Sequence, residues 1–166
     1  MDIDEIVIEI KMAVNCPSDF KNAIDKLMSG FRSDRDYSTV SPGQKPWENE
    51  NVINAVDQQI LINKDCRIQT TALSFFEKIP VNLISDSVLF NCHQMSGVKE
   101  HKEGSLDWGL ANEAEKVLKR ALQAIYDDPS PKMTKTFITY HCPDMKKNPN
   151  QTIANLAIAI LEKHKS

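Results

Sequence analysis

The side chains able to do chemistry are few in this chain, and they are scattered. The nearest thing to a metal set is Cys92-His93 with His101, joined by His141-Cys142. Neighbouring residues on a helix point about 100° apart, so Cys92 and His93 do not face one ion without distortion. The expectation is Cys92 in the core and His93 at the surface. No H-E-x-x-H and no C-x-x-C occurs, so no metal site is expected. A nucleophilic pair would use Cys142 with His93 or His141. Cys142 precedes Pro143, which suggests an exposed loop position, but no residue nearby marks a lowered thiol pKa or an oxyanion donor. Five glycines, none spaced as G-x-x-x-x-G-K or G-x-G-x-x-G, leave no phosphate-cradling loop. The acids fall in no catalytic frame. The reading is a non-enzyme with no catalytic residue, no metal and no cofactor; a thiol- or metal-dependent hydrolase is the second alternative.

Recognition chemistry is better represented. The net charge is −3 over 166 residues, and it is uneven: residues 1–60 carry −5, residues 61–128 carry −2 and residues 129–166 carry +4. Phosphate binding needs clustered Lys and Arg, so nucleic acid is not the expected partner. Trp47 follows Pro46, and Trp108 stands beside Gly109. Each either closes the end of the core or anchors an interface. Around Trp47 lie Asp34, Asp36, Tyr37, Glu48 and Glu50. Together these six residues form the candidate surface for a basic protein partner, with charge speeding the encounter and the indole holding the complex.

The elements that must position these residues read as helices. Hydrophobic residues make up 41% and charged residues 26%, values ordinary for a folded domain and against wholesale disorder. Ile3, Ile6, Val7 and Ile10 mark a helix to about Asn15, which Pro17 ends. Ser18 is a candidate cap for a second helix with Phe20, Ala23, Ile24, Leu27, Met28 and Phe31 on one face. A third, over about 49–62, turns Val52, Ala55, Val56, Ile60 and Leu61 inward. Asp65 caps a fourth carrying Ile68, Ala72, Phe75, Phe76 and Ile79, and Pro80 stops it or opens a fifth with Val81, Ile84, Val88, Cys92 and Met95. The sixth runs from Asp107 to Tyr126, and Asn150 caps a last one. Between them lie a long loop at 32–48, a polar loop at 97–106 and a Pro-rich break at 127–149. Residues 132–142 are strand-like in composition, but a lone strand has nothing to pair with, and a short helix is the expectation.

The candidate caps Ser18, Asp65, Asp107 and Asn150 stand 47, 42 and 43 residues apart. A period of ~40–47 residues with two or three helices per unit is similar to HEAT and armadillo arrays. The stretch Asp65-Cys66-Arg67-Ile68, followed by Ala72-Leu73 and Phe76, resembles the second helix of a HEAT repeat. The loop at 32–48 and the break at 127–149 depart from a regular array. An irregular helical bundle therefore stays open beside the solenoid. The fold expectation is all-α, a single domain over 1–166 with about seven or eight helices.

Small HEAT-like proteins include immunity proteins of bacterial toxin systems, notably those of contact-dependent growth inhibition. The chain is similar to them in size, in acidity and in the acidic Met1-Asp2-Ile3-Asp4-Glu5 start, which is unlike a secretory signal. No apolar run approaches the ~18 residues of a membrane span. Four well-separated cysteines suit reduced thiols in a cytoplasmic protein. The resemblance implies a protein-binding module: a stoichiometric inhibitor that neutralises a basic partner such as a nuclease toxin. An adaptor or scaffold subunit of a larger assembly is the first alternative.

Overall fold

The computed structural model describes residues 2–32, 45–96, 106–127 and 137–164, and every regular element among them is helical. The all-α reading is therefore correct for the described residues. They divide into two compact units, with the boundary between Leu83 and Ile84; nothing in the sequence pattern marked a division there.

In the first unit, α1 (Ile3–Met12) starts where the Asp2 carboxylate accepts the Asp4 N–H, with Asp4 and Glu5 in the first turn and Lys11 in the last, as the helix dipole favours. It buries Ile6 and Ile10 and ends short of Asn15, because residues 13–15 already turn toward the next helix. Next, α2 (Pro17–Arg32) begins on Pro17 itself. Proline is pre-set for the first helical position, and Cys16 O already accepts the Phe20 N–H at 2.9 Å. Ser18 consequently lies inside the first turn and is not the cap. Phe20, Ala23, Ile24, Leu27 and Met28 form the buried stripe.

A 3₁₀ turn at Pro46–Glu48 leads into α3 (Glu50–Leu61), capped by Asn49 through bonds from Asn51 N–H and Val52 N–H. Its inner face is Val52, Ile53, Ala55, Val56 and Ile60. Leu61 was expected there, but it is 37% exposed, since the position after Ile60 falls off the stripe at the helix end. Asn63 then joins two turns: its amide donates to Val14 O at 2.9 Å and to Gln59 Oε1 at 3.1 Å, and its oxygen accepts the Asp65 N–H at 2.9 Å. Asp65 caps α4 (Cys66–Phe76) as expected, accepting Arg67 N–H at 2.9 Å. The Arg67 guanidinium folds back on the same carboxylate at 3.1 Å, which lowers the Asp65 pKa and raises that of Arg67. Helices α2 and α3 both pack on α4, and α1 rests on α2 and α3.

Pro80 opens only a 3₁₀ turn, Val81–Leu83, rather than the fifth helix. The helix α5 (Asp86–Met95) waits for Ser85, whose Oγ accepts the Val88 N–H at 3.2 Å, and for Asp86 in its first turn. The second unit continues with α6 (Leu106–Asp127), which packs on α5 and on α8 (Gln151–Lys163). Asp107, expected at the N-cap, lies one residue inside its helix. The α6 stripe of Leu110, Ala111, Ala114, Val117, Leu118, Ala121, Leu122 and Ile125 is buried throughout, as its 3.6-residue period predicts. The described part of 132–142 is helical: a π-helical turn at Phe137–His141 runs into α7 (Cys142–Met145). Asn150 caps α8 as expected, accepting from Thr152 N–H and Ile153 N–H. No helix among the described residues is long and apolar enough to cross a membrane.

Gly109 sits within α6, and a methyl group placed on it would meet nothing within 4 Å. Glycine in a helix costs about 0.5–1 kcal/mol relative to alanine through lost backbone freedom. Gly109→Ala is therefore expected to raise stability by about that amount, read as a higher denaturation midpoint with an unchanged slope.

Candidate functional site

The first turns of the chain are more apolar than one helix face needs. Once Ile6 and Ile10 are turned inward, Ile8 and Met12 stand two residues off that face and point away from it. They are 56% and 81% exposed. The outer face of α2 is polar and carries Asp19, Asn22, Asp25, Lys26 and Ser29. Between the two helices runs an open groove of about 980 Å³, with Ile8, Met12 and Ala13 supplying its apolar surface. Glu5 and Glu9 line it from α1, and Asp19 and Asp25 from α2. Lys26 is the one cation among the lining residues, and its Nζ reaches across to Glu9 Oε1 at 2.9 Å. On the outer side of α2, Lys21 holds Asp25 at 2.8 Å. Both pairs are well exposed, so they add little to stability. Four acids against Lys26 and the Asp25 partner Lys21 leave the groove net negative.

The surface expected around Trp47 is arranged differently. Trp47 is only 2% exposed and belongs to the core of the first unit, where its 3₁₀ turn packs on α2 and α3. The exposed-anchor reading of Trp47 is corrected by that burial: Pro46 starts a turn that brings the indole under the helices. Glu48 is half-buried and Glu50 is exposed in the first turn of α3; neither lines the groove. Asp34, Asp36 and Tyr37 lie outside the described residues. Trp108, the other tryptophan, is 38% exposed at the start of α6. The signal that sequence reasoning passed over was the surplus of aliphatic residues on α1, Ile8 and Met12, beyond those its stripe uses.

Cys92, His93, His141 and Cys142 lie in the second unit. Cys92 and Cys142 are both fully buried. Cys142 lies not in an exposed loop but at the start of α7, against the π turn, and burial pushes its pKa up to about 12. Burial likewise pushes the Cys92 thiol well up. At neutral pH both are therefore protonated thiols, the weakly nucleophilic form. The Phe90 ring is near both imidazoles, with centroids 6.4 Å from His93 and 5.5 Å from His141. Among the described residues, no three His, Cys, Asp or Glu side chains are grouped to hold a metal ion; His101 lies outside them.

Asn148 fixes the state of His93. Its Oδ1 accepts the Asn150 N–H at 2.8 Å, so its Nδ2 is the donor, to Ser96 Oγ at 2.8 Å and to His93 Nδ1 at 2.8 Å. His93 Nδ1 must therefore be unprotonated. Burial lowers the His93 pKa below its ordinary 6.5, against a smaller opposing pull from the Asp144 charge. A folded pKa below the unfolded one means the unfolded chain binds more protons in that range. The contribution is present above about pH 6.5 and is lost as pH falls through the folded value. Stability should thus decline on acidification below pH ~6.5. Asn148→Asp, which offers His93 a carboxylate, should blunt or reverse that decline; urea midpoints at several pH values check it. Equal pH slopes for the parent and the variant would show that His93 does not report on this contact.

No family model, curated protein or solved structure matches the chain.

Proposed function

We propose that the chain is a protein-binding module that works as a stoichiometric, immunity-like inhibitor of a basic protein such as a nuclease toxin. The observation that carries this reading is the groove between α1 and α2, which exposes Ile8 and Met12 among Glu5, Glu9, Asp19 and Asp25. Large aliphatic groups in water favour burial against a partner. The surrounding acids select one that is basic, as an enzyme holding nucleic-acid phosphates must be. A HEAT-like array suits the role, since each unit leaves side chains on a continuous outer surface. Glu48 and Glu50 lie outside the groove lining, and by sequence Asp34 and Asp36 share in the −5 charge of residues 1–60, with Tyr37 beside them as a proposed partner contact. The four free thiols fit a reducing compartment, so the site of action is proposed to be the cytoplasm. The hydrolase alternative has less support, because Cys92 and Cys142 are buried thiols.

The test is to mix the purified chain with the product of a toxin gene encoded beside it. The expected result is a one-to-one complex in which toxin activity is lost. A complex with full activity would favour the scaffold reading, and no complex would overturn the inhibitor reading for that pair.

A further inference from the structure

We infer that the occupant of the α1/α2 groove is a basic amphipathic helix of the partner, with two apolar anchors one helical turn apart and Lys or Arg along the flank that lies toward α2. This rests on the protein-binding reading above and gives it a ligand class. The walls of the groove are themselves two adjacent helices, and a third helix is the shape that seats its side-chain ridges between them. Ile8 and Met12 are four residues apart on α1, so they form one short apolar strip along that helix. A ligand that covers the strip needs its own apolar groups at the same spacing. The acids stand on the α2 side of the strip: Glu9 faces Lys26 of α2 with Glu5 one turn before it, and Asp19 and Asp25 lie on α2 itself. Cations are therefore required along the flank of the ligand's apolar face that lies toward α2.

The same charges argue against a second copy of this chain. In a two-fold contact through this groove, the four acids of one copy would meet the four of the other, with Lys26 and the Asp25 partner Lys21 from each to offset them, a net negative charge on both sides. Nucleic acid is disfavoured by sign. Lys26 has a definite part: by holding Glu9 it occupies an acid that a ligand cation would otherwise take. Removing that lysine should strengthen binding.

The probe is a synthetic helical peptide of leucine and lysine with leucines at i, i+3, i+4 and i+7. Two controls accompany it, one with the same composition scrambled and one with glutamate in place of lysine. Affinity is read by calorimetry at physiological ionic strength, and position by amide shifts on the intact chain. The patterned lysine peptide should bind with shifts centred on α1 and α2, and the glutamate peptide should not bind. Ile8→Ser combined with Met12→Ser changes only exposed side chains and should weaken binding about tenfold or more. Ile62→Ser, at a side chain 69% exposed away from the groove, should leave it unchanged. Lys26→Ala should tighten it about two- to fivefold. Equal binding of the scrambled peptide, unchanged affinity in the Ile8/Met12 double variant, no binding, or self-association of the chain through α1 would each overturn the inference. Failure here leaves the inhibitor reading standing with a partner bound elsewhere. Failure of the toxin assay alone leaves the groove's ligand class intact.

Discussion

Phe76→Ala should destabilise the chain by about 3–5 kcal/mol, the largest effect expected from a single substitution. Phe76 is fully buried on α4, the helix on which α2 and α3 both pack. Its ring meets Phe75 edge-on, with centroids 5.3 Å apart and planes at 80°. That arrangement places the positive ring edge on the negative face and adds to the burial itself. Truncation removes the transfer energy of the ring and leaves a cavity that the surrounding core fills only in part. Urea titration is the measurement. A midpoint shift at constant slope gives the cost, and Phe76→Leu should recover much of it. A loss under about 1 kcal/mol for the alanine variant would mean that the α4 face is not the centre of the first unit.

Leu118→Ala should cost about 2–5 kcal/mol. Leu118 is fully buried at the middle of α6, which packs on both α5 and α8, so the void has walls on more than one helix. The contrast on the same helix is Lys116, whose side chain is 62% exposed and pairs with Glu113 at 3.1 Å. Lys116→Ala should stay within about 0.5 kcal/mol, because an exposed pair gains little over solvent. The two variants, two residues apart in sequence, separate burial from helix propensity: both place alanine in the same helix, and only one opens a hole. Similar midpoints for the two would show that the α6 stripe has been assigned to the wrong face.

The all-α fold was legible because a helix is specified locally. The stripe of α6 needs only the i, i+3 and i+4 spacing of its aliphatic residues, and Asp65 and Asn150 cap by bonding backbone groups two or three residues away. Where local signals competed, the sequence left the outcome open. Pro17 outcompeted Ser18 as the point where α2 begins, and Ser85 outcompeted Pro80 for α5. The candidate site was harder to read. Trp47 could close a core or face a partner, and its burial follows from where its 3₁₀ turn meets α2 and α3. The tautomer of His93 is set by Asn148, 55 residues along the chain. Ile8 and Met12 are apolar letters in an apolar helix until α2 is laid beside α1 and nothing among the described residues is laid over them. Periodicity and caps involve residues within a turn or two of one another, so they are written in the sequence itself. Burial, proton placement and an uncovered apolar strip depend on which distant surfaces meet, and only the folded chain brings those surfaces together.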